Sequence, residues 1–196
     1  MAQDPTLSDV FKRNQYNLPD AVRKSQAWFQ QQALLIKKQN VTPKSVLKGQ
    51  NMTGTIRPGN LYMFLYDAKH KDTLPYWDMF PLVFPYEKTK DGFMGLNMHY
   101  LPYQMRVQLL DRLMQFANNR RMDESTRLKY SWNLIGGVSK FRAAEPCIKH
   151  YLDAHVKSSF KLIPAQDWAT AMMLPVESFV GANKNRVWQD SKRAIA

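Results

Sequence analysis

The chain has 196 residues, of which 44% are hydrophobic, so it is long and apolar enough for one domain with extensions and is not globally disordered. Its 28 Lys and Arg against 16 Asp and Glu give a net charge of +12, which favours a polyanionic partner or a neighbouring subunit with an acidic face. No apolar run approaches the roughly 20 residues of a membrane span, and the single cysteine, Cys147, excludes an intramolecular disulfide and a cysteine-rich metal site. We therefore expect a protein of a reducing cytoplasm, without membrane contact.

The excess positive charge lies mainly in the two flanks of the chain. Residues 1–55 carry 8 Lys and Arg against 3 Asp and Glu, and residues 134–196 carry 9 against 5. Residues 56–133 carry 11 against 8 and are nearly balanced. We therefore expect polyanion binding from the flanks, although a solvated basic face explains any single cluster equally well.

An arm and a helix are predicted at the N-terminus. Residues 1–19 contain two prolines and no periodicity, which is typical of an arm that is mobile or is ordered only on a partner. Asp20 is a plausible N-cap for a helix that runs to about Gln39. The large apolar side chains of this helix, Trp28 and Phe29, would pack on their own domain or dock on a neighbouring subunit, and both alternatives stay open.

A linker is predicted over residues 40–58, where Pro, Gly, Thr and Lys are frequent and periodicity is weak. A structureless segment of this length is unusual inside a compact domain, so it fits an arm that packs elsewhere. The sequence thus predicts two parts: an N-terminal arm, helix and linker over 1–57, and a β core with packed helices over 58–196.

Three aromatic and apolar runs predict the strands of that core. They cover Leu61–Tyr66, Met79–Tyr86 and Phe93–Tyr100. Pro81 and Pro85 lie in the second run, and proline cannot donate to a sheet ladder. We therefore expect that strand to be at an edge or to be bulged.

A hairpin and a distant fourth strand complete the predicted sheet. The dipeptide Asp91-Gly92 is a turn signal between the second and third runs. Phe160–Ile163 is a candidate fourth strand. The predicted fold is α+β, a small antiparallel SH3-like β barrel or meander that is decorated by several helices and preceded by an extended arm and helix.

Five helical segments are predicted after the strands. An amphipathic stripe predicts a helix over Tyr103–Ala117, and a second helix follows over 123–135 up to Gly136-Gly137. Pro146, at a first-turn position, predicts a third helix over Glu145–Val156. A short helix begins at Asp167-Trp168, and the tail over Val176–Ile195 is expected to be helical in part.

Sequence motifs of catalysis are absent. The chain has no GxSxG, Walker or GxGxxG motif and no paired Cys/His spacing, so we expect no cofactor and no metal site. Asp67, Asp72 and Asp78 lie near one loop and could hold a divalent cation in a nuclease. Capping of turns is the simpler explanation of these aspartates.

Basic clusters interleaved with aromatic residues are the remaining candidate, because phosphate contacts need flexible Lys and Arg without a strict motif. The candidate DNA- or partner-binding residues are Lys69, Lys71, Arg120, Arg121, Arg127, Lys129, Lys184, Arg186, Lys192 and Arg193. The candidate subunit-docking residues are Trp28, Phe29, Tyr76 and Trp77.

Four segments of the chain resemble a known family. LYMFLYDAKHKDTLPYWDMFPLVFP, DGFMGLNMHYLP, DESTRLKYSW and CIKHYLDAHVKSSF are similar to segments of the DNA end protector (head completion) proteins of T-even-like contractile-tailed bacteriophages. The resemblance covers roughly Pro58 to Asp190. It carries over no individual DNA-contacting residue.

The resemblance implies a non-enzymatic virion protein, made in the host cytoplasm, that binds the packaged DNA end at the head, portal or neck and blocks exonucleases after injection. Its implied partners are a double-stranded DNA end and other virion subunits, namely portal, neck or tail proteins, in a symmetric oligomeric assembly. The alternative is a tail, neck or baseplate adaptor that acts by protein–protein contacts alone. A metal-dependent nuclease is the third hypothesis.

Overall fold

The computed structural model describes residues 51–103, 105–106 and 142–196, together with 42, 45, 47 and 48. The predicted N-terminal arm and helix and the predicted helix over 123–135 lie outside these residues. Of the predicted helix over Tyr103–Ala117, the described residues are Tyr103, Met105 and Arg106, which are helical. None of the described helices is both long enough and apolar enough to cross a membrane.

Eight strands lie in the described part of the chain, and all of their pairings are antiparallel. Six of them form one sheet of order β1-β7-β2-β4-β5-β6, and β3 pairs with β8. The strands are β1 (Met52–Thr53), β2 (Leu61–Met63), β3 (Trp77–Asp78), β4 (Leu82–Lys88), β5 (Gly92–Asn97), β6 (Ile148–Leu152), β7 (Phe160–Ile163) and β8 (Phe179–Val180).

Helices fill the turns around these strands. Two α-helices have both of their bounds within the described residues: α1 (Trp168–Met173) and α2 (Lys184–Ile195). The 3-10 helices are Met98–Tyr100, Arg142–Cys147, Asp153–His155 and Ala165–Asp167. The short helix predicted at Asp167-Trp168 and the partly helical tail are therefore confirmed.

The β4–β5 hairpin is confirmed, and Thr89 N donates to Gly92 O at 2.9 Å across its turn. The prediction that the prolines place this strand at an edge or make it bulged is confirmed in its second alternative. The register shifts between Pro85 and Glu87, which is a bulge. However, β4 lies between β2 and β5 rather than at an edge. The bulge accommodates the missing donor of Pro85, so a central position is tolerated.

The predicted barrel is not closed. β1 and β6 lie at opposite ends of the six-stranded sheet, and β4, β5 and β6 are successive neighbours as in a meander. The fourth predicted strand, Phe160–Ile163, is confirmed, but it pairs with β2 and β1 rather than closing a barrel. β1 belongs to the predicted linker over 40–58, so that linker contributes a short strand to the sheet. The division of the chain at residue 57 stays a prediction.

The predicted helix over Glu145–Val156 is wrong, because residues 148–152 form strand β6. β6 pairs with β5 along its whole length, from Gly92↔Leu152 to Leu96↔Ile148. The Tyr151 ring stacks on Phe93 with centroids 5.4 Å apart. These non-local contacts outweigh the local helical pattern, as tertiary context commonly does.

Both faces of the sheet are buried. Successive residues of a strand point to opposite faces, so Leu61 and Met63 enter a cluster that includes residues of α1 and α2, whereas Tyr62 enters an aromatic cluster. Phe64 is fully buried in that aromatic cluster, with its ring centroid 5.2 Å from that of Tyr151. Edge-to-face pairs of this kind stabilise the fold beyond simple burial, by about 0.5–1.5 kcal/mol each.

Asp167 gives the fold a testable pH dependence. This residue precedes α1, makes no side-chain capping bond and is half-buried, and burial raises the pKa of its carboxyl to about 6. Because the folded pKa lies above the unfolded one, the stability of the fold falls as pH rises from about 4 to 6. We expect Asp167→Asn to be more stable than the wild type by about 1 kcal/mol at pH 7, after allowance for solvent screening.

Urea unfolding of both proteins at pH 3.5 and pH 7 measures this effect. The advantage of Asp167→Asn should nearly vanish at the lower pH, where the carboxyl of the wild type is protonated in both states. An equal difference at the two pH values would contradict the prediction.

Candidate nucleic-acid interface

A cleft of about 600 Å³ opens between the loop that follows β2 and strand β6. We name it the aromatic cleft. Five aromatic side chains line it: Tyr66, Tyr76, Trp77, Tyr100 and Tyr151. Four basic or titratable nitrogen side chains also line it: Lys69, His70, Lys149 and His150.

Backbone hydrogen bonds fix the loop that forms one wall of the cleft. Asp67 N donates to His155 O at 3.0 Å, and the Nδ1 atom of His155 lies 2.8 Å from Asp67 O. Within the loop, Leu74 N donates to His70 O at 2.9 Å. On the opposite wall, Leu152 N donates to the Tyr66 hydroxyl at 3.3 Å. Both walls are therefore tied to the sheet.

The floor of the cleft is a buried polar network centred on Asp78. The Oδ2 atom of Asp78 lies 2.8 Å from His99 Nδ1 and accepts from Asn97 Nδ2 at 3.1 Å. The same amide of Asn97 donates to the Tyr151 hydroxyl at 3.0 Å, and Phe80 N donates to Asp78 Oδ1 at 3.0 Å. These bonds fix the position of the floor, although the buried Nε2 atom of His99 has no hydrogen-bond partner among the described residues.

This network removes Asp78 from the nuclease hypothesis, because its carboxylate is occupied by protein donors. The Asp67 carboxylate forms an ion pair with Lys71 Nζ at 3.0 Å, and the side chain of Asp72 is exposed to solvent. Among the residues that the structure describes, no three His, Cys, Asp or Glu side chains form a cluster that could hold a metal ion. The capping explanation holds for Asp78, whose carboxylate accepts the Phe80 backbone amide two residues on.

Lys149 is the cation of the cleft that is best placed to bind an anion. Its Nζ atom lies 4.1 Å from the centroid of the Tyr100 ring, a cation–π contact. Burial lowers the pKa of Lys149, because the amine has lost part of its hydration. A bound anion would replace that lost hydration, and the interaction is stronger in a poorly hydrated site than in water.

The structure brings together three of the predicted loop residues. Lys69, Tyr76 and Trp77 all line the aromatic cleft. Lys71, two residues from Lys69, does not line the cleft and is paired with Asp67 instead.

Helix α2 adjoins the cleft through Tyr76. Burial, together with the nearby Asp190 carboxylate of α2, raises the pKa of Tyr76. Asp190 lies 3.9 Å from Arg186 and 3.7 Å from Arg193. These two arginines are mostly exposed, so they and the exposed Lys192 extend a basic face of α2 from the rim of the cleft.

Lys184 differs from the other predicted cations of α2, because it is held by the protein. Its Nζ atom lies 3.6 Å from the Glu177 carboxylate and 5.3 Å from the Trp188 ring centroid. It is therefore better explained as part of the packing of α2 than as a phosphate contact. The candidate residues Arg120, Arg121, Arg127, Lys129, Trp28 and Phe29 lie outside the described residues.

Sequence reasoning missed Lys149, His150 and Tyr151 as site residues. The segment that holds them was predicted as a helix, which separates them from the loop around Lys69. The only signal for a strand was the short run IKHYL, with aromatic and β-branched residues after Pro146. Strand pairing with β5 is what carries these residues to the cleft.

The chain was compared with known protein families, curated proteins and solved structures. No curated protein and no solved structure matches it. The family model described as phage T4 terminal DNA protecting protein matches residues 7–192. This match confirms the resemblance that the four sequence segments show. Because it covers nearly the whole chain, the protein belongs to the phage T4 terminal DNA protecting protein family.

Proposed function

We propose that this protein binds the ends of linear DNA without cleaving them, and that the aromatic cleft together with the basic face of α2 is the binding site. The observation that carries the proposal is the cleft itself, where five aromatic side chains converge with Lys69 and Lys149. Proteins that hold nucleic acid without reading its sequence combine these two features, cations for the backbone and aromatic rings for bases.

The basic face of α2 supplies the second part of the proposed site. Asp190 lies near Tyr76, 3.9 Å from Arg186 and 3.7 Å from Arg193, so both arginines are close to the rim of the cleft. A duplex seated on α2 would therefore place its end at the cleft. Contacts with phosphates position a protein on DNA and carry no sequence information. This suits a protein that must hold a terminus whatever its sequence.

The proposed location is the virion head or neck. A protein that protects terminal DNA has to lie where the packaged terminus lies, next to portal or neck subunits. We further propose that it sits there in a symmetric assembly with those subunits. A purely protein-binding adaptor of the tail or baseplate is the competing function, and it predicts no preference for DNA ends.

Competition binding tests the proposal with the full chain. A labelled short duplex is displaced by unlabelled linear DNA or by a covalently closed circle of the same sequence, at several salt concentrations. We expect the linear competitor to be clearly the stronger, with steep dependence on salt. We expect Arg186→Gln/Arg193→Gln to weaken binding and to lower the salt slope by about 1 for each phosphate that the variant no longer neutralises.

Lys71→Gln is the matched control, because Lys71 is basic and exposed but does not line the cleft. It should bind like the wild type. Equal displacement by the circle and the linear DNA would exclude an end-binding function and would favour the adaptor.

A further inference from the structure

We propose that the aromatic cleft receives one unpaired nucleotide at the DNA terminus, with its base against the aromatic wall and a phosphate beside Lys69 and Lys149. This inference rests on the proposed end-binding function and specifies its ligand. It concerns the chemical form of the DNA end, which neither the family description nor the charge of the chain specifies.

The size of the cleft favours a single nucleotide over a duplex. Its volume of about 600 Å³ falls within the range of about 300–1,000 Å³ that is typical of small-molecule pockets. A paired base in B-form DNA shows a protein only its edges in the grooves. At a blunt end the outer face of the last pair is open, but it belongs to a whole base pair held on the duplex. An unpaired terminal nucleotide can instead leave the stack and place a single base in the cleft.

The wall of the cleft suits the face of a base. Tyr76 is only half-buried, and its ring centroid lies 6.1 Å from that of Tyr100 and 6.3 Å from that of Phe179. These ring contacts hold the Tyr76 ring in a fixed orientation while part of it stays open to the cleft. A preorganised ring loses little conformational entropy when a base stacks on it.

The charged side chains that line the cleft indicate where a phosphate would bind. Asp91 lines the cleft and would repel an anion, and it lies 3.4 Å from His150. The Nε2 atom of His150 also lies 2.9 Å from Thr89 Oγ1. In the described part of the chain, Asp91 thus lies against His150 rather than Lys69 or Lys149, so the anion is expected near these two lysines.

A set of duplexes that differ only at one end tests the inference. The ends are blunt, or carry one unpaired nucleotide on the 3′ or the 5′ strand, each with and without a terminal phosphate, and the opposite end is closed by a hairpin. We expect one of the two overhangs to bind about 5- to 150-fold more tightly than the blunt end. If the overhang loses its advantage when the terminal phosphate is removed, the lysines bind that phosphate. If it keeps the advantage, they bind the phosphate that joins the unpaired nucleotide to the duplex. Both outcomes support the proposal.

Lys69→Gln and Lys149→Gln should each reduce the preference for the overhang more than the affinity for the blunt end, whereas Lys71→Gln should leave the preference unchanged. Lys69 is exposed, so its replacement keeps the test valid even if the partly buried Lys149 is needed for folding. Equal binding of all ends would overturn the inference. If a blunt linear duplex still outcompetes a circle in that case, the proposed end-binding function survives without it.

Discussion

Replacement of Arg106 by methionine is expected to cost about 3–5 kcal/mol of the free energy of unfolding. Arg106 is fully buried, and its Nη2 atom lies 2.7 Å from the Glu177 carboxylate, which is itself buried. Methionine fills a similar volume but leaves the Glu177 charge with Lys184, at 3.6 Å, as its remaining cationic partner. An uncompensated buried charge is among the largest destabilising effects that one substitution can have.

The remaining donors of Arg106 bond to two further segments of the chain, residues 99–101 and α1. Nε donates to Leu101 O at 2.7 Å, and Nη1 donates to Met172 O, in α1, at 2.9 Å. Nη2 also donates to His99 O at 3.2 Å. The same carbonyl accepts from Trp188 Nε1, in α2, at 2.9 Å. The substitution therefore also leaves buried carbonyl groups without a donor, which adds to its cost.

Because Glu177 is ionised, this prediction includes a specific dependence on pH. Burial would raise the pKa of Glu177, but the Arg106 guanidinium, together with the other neighbours that favour the charged carboxylate, Lys184 among them, holds the pKa below its usual value. In the wild type, the ion pair therefore stabilises the fold above the usual pKa of glutamate, and this stability is lost as pH falls through the lowered value. Without Arg106, burial should raise the pKa of Glu177 instead.

Urea unfolding at pH 7 and pH 4 measures the effect. The loss in free energy of unfolding caused by Arg106→Met should be smaller at pH 4, where Glu177 takes up a proton. The double variant Arg106→Met/Glu177→Gln should recover part of that loss at pH 7. If the double variant is no more stable than Arg106→Met at either pH, the ion pair is not the source of the deficit.

Replacement of Gly92 by alanine is expected to cost about 3 kcal/mol, because strands β5 and β6 must separate to admit the new methyl group. A Cβ atom at this position would lie 1.9 Å from Tyr151 O and 3.0 Å from Leu152 Cα. Both are backbone atoms of the paired strand, so no side-chain rotation relieves the clash. Since β6 carries Lys149 and Tyr151, we also expect weaker binding of DNA ends.

Gly54→Ala is the matched control, since a Cβ atom at Gly54 would meet nothing within 4 Å. We expect it to change the free energy of unfolding by less than about 0.5 kcal/mol. Thermal or urea unfolding of the two variants measures the contrast. A Gly92→Ala protein as stable as Gly54→Ala would show that β5 and β6 do not pair this closely.

Local turn and capping chemistry made part of the fold predictable. The β4–β5 hairpin follows from Asp91-Gly92, because a tight turn is specified by the residues that form it. Helix α2 was expected only as the helical part of the tail. Its start is set by the Asn183 side chain, which accepts from Arg186 N at 3.0 Å. Strand β7 was found from its apolar run alone, although its partners are about 100 residues away in sequence.

Non-local pairing made β6, and with it the aromatic cleft, unpredictable from the sequence. The residues around Pro146 fit the start of a helix, and only the open edge of β5 makes a strand the better solution. Lys69 and Lys71 look equivalent in the sequence, yet one lines the cleft and the other is paired with Asp67. The orientation of the loop, fixed by His155, decides between them.

Protection of a linear duplex from an exonuclease tests the central claim, that the aromatic cleft holds the DNA end. The full chain, the double variant Lys69→Gln/Lys149→Gln and the control variant Lys71→Gln/Lys157→Gln are each incubated with an end-labelled duplex before digestion. The control removes the same charge at two exposed lysines that do not line the cleft. We expect the wild type and the Lys71/Lys157 variant to slow the loss of label equally, and the Lys69/Lys149 variant to protect at least tenfold less, about 1.4 kcal/mol of binding. Equal protection by the two double variants, with both folded, would contradict the assignment of the cleft as the site that holds the end.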